Sequence, residues 1–316
     1  MKPSDARAPG LLSFGIRPGS RTGLRPVWEE PPTRAGLATK GVALTLVCLA
    51  VVFPVWVVVV TSLSSVATIT KTGGLVVIPR GVTFVHYQEL LGGGQVSRAT
   101  LVSVGVTVVG TLFSMVVSVL CAYGLSRPGS VLHRPILLVI VATMFFGAGL
   151  IPTYLVVQGI GLTDTYLSLI LPSALNVFNI LVLRAFFMGT AQELIESARI
   201  DGAGDLRILW RIVMPLSRAV IAVITLFYAV GYWSAWFNAS IYLSDPDMMP
   251  LQNVMQQLVI KQQKPTGLAQ AINTGHLSPL AIQMAVMVLA LLPVAVLSPF
   301  VQRHFKQGML TGAVKG

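Results

Sequence analysis

Residues 99–126 read ATLVSVGVTVVGTLFSMVVSVLCAYGLS, without one Asp, Glu, Lys, Arg or His. An α-helix rises about 1.5 Å per residue, so a run of this length crosses a hydrocarbon core of ~30 Å. A buried helix of a soluble protein needs only about 10–14 such residues. Five more uncharged runs surround this one, at 41–63, 135–163, 165–183, 219–244 and 277–302. Each is long enough to span, so the sequence predicts an all-α polytopic membrane protein with six transmembrane helices. Composition agrees: 10% of the residues are charged, against about 25% in a soluble domain.

The segments joining these runs carry Lys and Arg unevenly. With the N-terminus inside, the inner segments hold seven in the N-terminal tail, two between runs 2 and 3, five between runs 4 and 5, and three after run 6. The outer segments hold Lys71, Arg80, Arg98, Lys261 and Lys264. The positive-inside rule therefore places both termini in the cytoplasm. The formal charge of +11 has a topological origin and gives no support for nucleic-acid binding. Residues 1–40, rich in Pro, Gly and Arg without apolar period, are expected as a disordered basic tail. Residues 41–302 form the expected membrane domain, and 303–316 a cytoplasmic C-terminal tail. The first run starts too far into the chain, and runs on too long past Phe53-Pro54-Val55-Trp56, for a cleaved signal peptide.

Between the runs, Leu75-Val76-Val77-Ile78 reads as a strand, Val85–Leu91 as a short helix, and Gly92-Gly93-Gly94 as a flexible joint with no nucleotide-binding pattern behind it. Asp245-Pro246-Asp247 is turn chemistry. The Gln-rich amphipathic stretch from Leu251 to Gln263 is expected to lie on the outer surface of the membrane domain. Cys48 and Cys121 fall inside spans as apolar packing residues, with neither disulfide nor metal spacing. Asn238-Ala239-Ser240 matches a glycosylation acceptor but ends a span, and is read as chance. Pro54, Pro152, Pro172 and Pro293 punctuate the spans and can kink them. No internal repeat of the secondary-transporter kind is visible.

The longest inner loop, 184–218, differs from the others. A first helix can run from Glu193 to Ile200, Asp201-Gly202-Ala203-Gly204 breaks it, and Asp205 stands as N-cap of a second short helix ending near Pro215. Leu206, Leu209, Trp210 and Val213 recur at i, i+3, i+4 and i+7 as one apolar stripe, with Arg207 and Arg211 on another face. Such a pair of helices suits a docking element, and equally a helix lying in the membrane interface with Trp210 as anchor.

The spacing in this loop resembles a known signature. Glu196-Ser197-Ala198, then Gly202, then Ile212-x-Met214-Pro215 is similar to the cytoplasmic motif of bacterial ABC importer permeases, with Ser197 and Met214 as mild departures from the usual Ala and Leu. The six runs, the Asn176–Phe187 stretch, Tyr232-Trp233-Ser234-Ala235-Trp236-Phe237-Asn238 and the tail Phe305–Gly316 resemble the carbohydrate-uptake permeases of the maltose type, over roughly residues 40–316. The resemblance is to the branch serving larger oligosaccharides. It implies pairing with a second homologous permease as a heterodimer, two cytoplasmic ATPase subunits, and an extracytoplasmic solute-binding protein that delivers the sugar. It also implies a bacterial cytoplasmic membrane location, and that residues 193–215, between spans 4 and 5, hold a coupling helix seated on the ATPase. Glu196, Ala198, Asp201, Gly202, Leu206, Leu209, Trp210 and Pro215 are the residues assigned to that contact.

The uncharged runs bear on mechanism in their own right. Gradient-driven carriers need ionisable or coordinating groups at membrane depth. All 11 Asp and Glu here lie outside the runs, as do His86, His133, His276 and His304. An intramembrane enzyme is disfavoured on the same ground, and no metal or other cofactor is expected on this chain. ATP and Mg would be used by the partner ATPase. Neutral groups remain for a sugar path: Asn176 and Asn179 in span 4, and Tyr232, Trp233, Ser234, Trp236 and Asn238 in span 5. Amides match hydroxyls, and aromatic faces stack on pyranose rings. Small and amide residues also bind membrane helices together, and Trp and Tyr also form interface belts. A permease for a non-sugar solute and a gradient-driven transporter are the alternatives.

Overall fold

The computed structural model describes residues 33–127, 132–190, 192–262 and 269–312. Among these, every regular element is helical. Helix α1 (Arg34–Ser62) is followed by α2 (Val66–Thr72), α3 (Val85–Leu91) and the long α4 (Gln95–Ser126). Then come α5 (His133–Phe145), α6 (Leu150–Gly159), α7 (Leu167–Ile170), α8 (Val177–Met188) and α9 (Gln192–Ile200). Next, α10 (Asp205–Ile208) runs through a π turn at Leu209–Val213 into α11 (Met214–Leu216), before α12 (Arg218–Trp233) and α13 (Trp236–Tyr242). After a 3₁₀ turn, α14 (Leu251–Met255) continues as a π turn, and α15 (Ala269–Asn273) and α16 (Pro279–Gly312) complete the order.

Among the described residues, three helices are each long and apolar enough to cross a membrane: α1, α4 and the part Pro279–Leu297 of α16. Three bent pairs meet the same test together: α5 with α6 (119°), α8 with Glu193–Ile200 of α9 (73°), and Asp205–Leu216 with α12 (88°). The chain is therefore a multi-pass membrane protein. The uncharged runs are less continuous than their composition predicts. Run 135–163 breaks ahead of Gly149, whose φ of +82° is open to glycine at little cost. Run 165–183 divides around Pro172, which has no N–H to continue α7. Run 219–244 divides at Ser234 and Ala235.

At the N-terminal end, α1 already begins at Arg34, inside the segment expected as tail; residues 1–32 lie outside the described residues. At the other end α16 runs on to Gly312, and 313–316 lie outside. Contacts divide the chain into two units, 1–52 and 53–316. In the first, the large apolar side chains of α1 from Leu37 to Val52 are exposed all round, as a lipid-facing helix requires.

In the second unit α4 is the central helix. Its buried face carries Ala99, Ser103, Gly110, Ser114, Ser118 and Ala122, mostly four residues apart, and packs on α8, α12 and α14. Small residues let backbones approach where burial of apolar surface gives no drive, because lipid is as apolar as the core. The opposite face, with Leu101, Leu112 and Val116, is exposed. The main core joins α4, α8, the segment 195–213 and α12. A second core gathers α3, the start of α4, α14 and α16 around Trp233. Leu251, Val254 and Leu258 of the Gln-rich stretch are buried in it, as the apolar face of an amphipathic segment. Helix α16 covers this i, i+3, i+7 apolar stripe; Gln283 Nε2 also donates to Leu258 O at 2.8 Å. The expected strand at 75–78 is absent. Val76 N–H donates to Thr61 Oγ1 (2.9 Å) and Trp56 Nε1 to Val77 O (3.0 Å), which pins that segment to α1 in place of a sheet partner.

Candidate functional site

A cavity of about 520 Å³ opens where α12 breaks into α13, opposite the start of α8. Its wall includes Ser173, Asn176, Phe178 and Asn179 on one side, and Phe227, Tyr228, Gly231, Ser234, Phe237 and Asn238 on the other. No lining residue is charged. The α8 start is fixed by Asn176, whose Oδ1 accepts the Asn179 N–H at 3.1 Å as an N-cap. The α12 end is fixed by Ser234, whose N–H reaches Val230 O, while Trp236 N–H donates to Ser234 O at 2.9 Å.

Two rungs tie this wall to α4. Tyr228 OH shares a hydrogen bond with Ser118 Oγ, and Tyr232 OH shares one with Ser114 Oγ, both at 2.7 Å. Tyr228 OH also accepts the backbone N–H of Asn176 (3.1 Å), and Tyr232 OH donates to Ile170 O (3.1 Å). Tyr228/Tyr232 and Ser114/Ser118 are each i, i+4 pairs, so two helices meet along matched faces. Gly110 completes the fit. A Cβ there would lie 2.9 Å from Tyr232 Cζ.

Of the residues expected on a sugar path, Asn176, Asn179, Tyr232, Ser234 and Asn238 line this cavity. Trp233 and Trp236 do not. Trp233 is buried in the second core and its Nε1 donates to Ala290 O at 2.8 Å. It follows Tyr232 by one position, about 100° around the helix, and so faces another partner. Trp236 packs edge-on against Phe237, with centroids 5.6 Å apart. Phe227, Tyr228 and Phe178 were not anticipated. Their signal was in the sequence: Phe227, Gly231, Ser234 and Asn238 recur at i, i+4, i+7 and i+11, a helical face continued across the break.

The segment 193–215 explains its own spacing. Ala203 N–H donates to Ala198 O (2.8 Å) and Gly202 N–H to Arg199 O (3.0 Å), with Gly202 at φ +77°. This is a Schellman helix end with glycine at the left-handed position. Ala198 and Ala203, the two residues such an end brings together, both pack on the main core. A small residue four before the glycine is thus a packing requirement.

Other expected positions shift. Asp205 is the first helical residue and Gly204 the cap, so the Asp205 carboxylate is free to pair with Arg127 at the end of α4. Tyr123 OH donates to Asp205 O (2.9 Å), and the Arg127 guanidinium lies over the Tyr123 ring at 4.4 Å. The apolar stripe divides as well. Leu209 and Val213 are buried with Ile208, while Leu206 and Trp210 are exposed. Up to Leu209 the register is that of an α-helix, with Leu209 N–H on Asp205 O; beyond it the π turn changes the register, since Met214 N–H reaches back to Leu209 O and Pro215 has no N–H to keep the α pattern. Leu209 therefore serves the core and cannot touch a partner. Glu196, Asp201 and Gly202 stay exposed, and Pro215 and Ala198 are half-buried.

Comparison with known proteins decides what these features belong to. The sequence matches the binding-protein-dependent transport system inner membrane components over residues 94–311. The chain belongs to that family. It is 43% identical to the polygalacturonan/rhamnogalacturonan transport system permease protein YtcP of Bacillus subtilis (strain 168), over 76% of this chain and 85% of that protein. The melibiose/raffinose/stachyose import permease protein MelC of the same organism is 26% identical over 76% and 84%. Among solved structures, one chain of a bacterial ABC transporter involved in the import of the acidic polysaccharide alginate superposes with a TM-score of 0.81 at 30% identity. The match covers 88% of this chain and 100% of that one. As an inner membrane component of a binding-protein-dependent system, this permease has a cavity and an exposed helical turn as the features to interpret.

Proposed function

We propose that the chain is the permease subunit of an ATP-driven importer that moves oligosaccharides across the bacterial cytoplasmic membrane. The observation that carries the substrate class is the cavity at the α12–α13 break. Amides and hydroxyls there offer hydrogen bonds without charge, beside Phe178, Phe227, Tyr228 and Phe237. A small number of placed polar groups among aromatic walls is what recognition of a polyhydroxylated ring needs. YtcP, named for polygalacturonan/rhamnogalacturonan transport, and MelC, named for melibiose/raffinose/stachyose import, support the same reading.

In this reading the three spanning helices and three bent pairs make six crossings, with both termini cytoplasmic as the Lys and Arg distribution requires. The turn at 193–206 then faces the cytoplasm and docks on a separate ATPase that binds ATP and Mg. Of the residues assigned to that contact, Glu196, Asp201, Gly202, Leu206 and Trp210 are exposed. A second homologous permease completes the membrane pathway, and an extracytoplasmic binding protein loads it. The test is uptake of a labelled oligosaccharide panel in host cells lacking this gene, with and without the gene restored. Restored, energy-dependent uptake of one or more oligosaccharides is expected. Uptake restored for an amino acid or ion and for no sugar would overturn the substrate class.

A further inference from the structure

The end of α4 and the start of α10 are joined by polar contacts that the reading above does not use. Asp205 pairs with Arg127, whose side chain is only 15% exposed. Tyr123 OH holds the Asp205 carbonyl, and the Tyr123 ring faces the Arg127 guanidinium. Arg184 Nε donates to Leu125 O (2.9 Å), which ties α8 to the same end of α4. Asp205 immediately follows the Gly202–Gly204 turn, so this joint sits at the base of the exposed segment. Further up the same helix, Ser118 and Ser114 bond Tyr228 and Tyr232, and Tyr228 holds the Asn176 N–H at the cavity wall. One continuous helix thus carries both attachments.

We propose that Asp205, Arg127 and Tyr123 are positioning residues that fasten the coupling segment to α4, and that α4 carries displacement of that segment to the cavity wall through the Tyr228 and Tyr232 rungs. This rests on residues 193–215 being the ATPase-docking segment. An ion pair with a stacked guanidinium and a backbone acceptor constrains direction as well as distance, which a rigid transmitter needs.

The test reads coupling directly, as uptake per ATP. The complex purified from its host is reconstituted in vesicles, and oligosaccharide uptake and ATP hydrolysis are measured on the same preparation. Arg127→Asp, outside the docking turn, is expected to retain the ATPase and its basal hydrolysis while uptake per ATP falls about tenfold, the effect of losing a charged hydrogen bond of ~1.4 kcal/mol, and Asp205→Arg is expected to lower uptake per ATP as far. The double reversal is expected to recover most of it. Tyr123→Phe, which keeps the ring and removes the donor, is expected to lower uptake per ATP about threefold. Wild-type uptake per ATP in both single reversals would overturn the proposal. So would single reversals that lose uptake with no recovery in the double. Glu196→Lys separates the two levels: if it releases the ATPase while the reversals transport normally, the docking segment stands and the joint falls. If it transports normally, the docking segment itself falls.

Discussion

Gly110 packs behind the cavity wall and Gly202 turns the exposed segment, and each position calls for glycine for a different reason. Gly202 lies in open space, with nothing within 4 Å of where a Cβ would stand, but its φ of +77° is one that side chains disfavour. Gly110 has ordinary helical backbone, but its missing side chain makes room for the Tyr232 ring. The exposed segment is therefore shaped by backbone conformation and by charge, and the cavity by close packing of neutral groups. The solvent each region meets accounts for the difference. Charges at membrane depth are costly, so Ser–Tyr rungs and small residues must set geometry there. At the membrane surface a left-handed turn and an ion pair are affordable and directional.

This contrast can be broken experimentally. The largest effect is expected at Gly202→Pro, since proline is fixed near φ −65° and cannot adopt the left-handed turn. The protein should insert and transport should stop, as measured by membrane abundance against uptake. Gly202→Asn, which tolerates that backbone, should retain most transport, whereas Gly202→Ala should cost about 1–2 kcal/mol at the turn. If Ala and Asn behave alike, backbone conformation is not what Gly202 supplies. Gly110→Val should give the reverse pattern, with overpacking of about 1–3 kcal/mol that lowers thermal stability in detergent. Shortening the facing ring with Tyr232→Leu should relieve part of it; an unchanged melting temperature in Gly110→Val would show that the rungs are not tightly packed.

Smaller effects sharpen the picture. Ser118→Ala removes one neutral interhelical bond, expected to cost about 0.6 kcal/mol, read as a shift of one or two degrees in thermal unfolding. A shift as large as that of Gly110→Val would contradict a cavity wall held by many weak contacts. The smallest effect concerns His86 on α3, outside the spans. Burial, and then the neighbouring His276, lower its pKa below the ordinary 6.5. Its Nε2 accepts the Ser278 N–H at the start of α16 (3.4 Å). The unfolded chain therefore binds a proton that the folded one resists, so stability should be level above pH 6.5 and fall as pH drops below it. His86→Gln, which keeps an acceptor, should flatten that slope in unfolding measured between pH 5 and 7.

Much of this was legible in the sequence, for physical reasons that also mark the limits. Charge-free runs report solvent, so the membrane character of 99–126 was plain, but they do not report backbone direction. The breaks ahead of Gly149 and at Ser234 were invisible for that reason. Asn176, Asn179, Tyr232 and Asn238 line one cavity, a grouping that their shared neutral, polar chemistry suggested. Trp233 was misplaced because chemistry does not say which way a residue faces. Leu209 was misplaced because periodicity groups residues on one stripe without saying which edge of that stripe the core covers. The Arg127–Asp205 pair spans 78 residues, and no local pattern announces it.

The most direct test is ATP-driven accumulation. The complex containing this chain is purified, reconstituted in vesicles with ATP on the side of the turn at 193–206, and supplied from the other side with oligosaccharide and its binding protein. Accumulation that requires ATP hydrolysis, the binding protein and this chain together is the expected result. Accumulation by this chain alone, driven by an ion gradient without ATP, would contradict it.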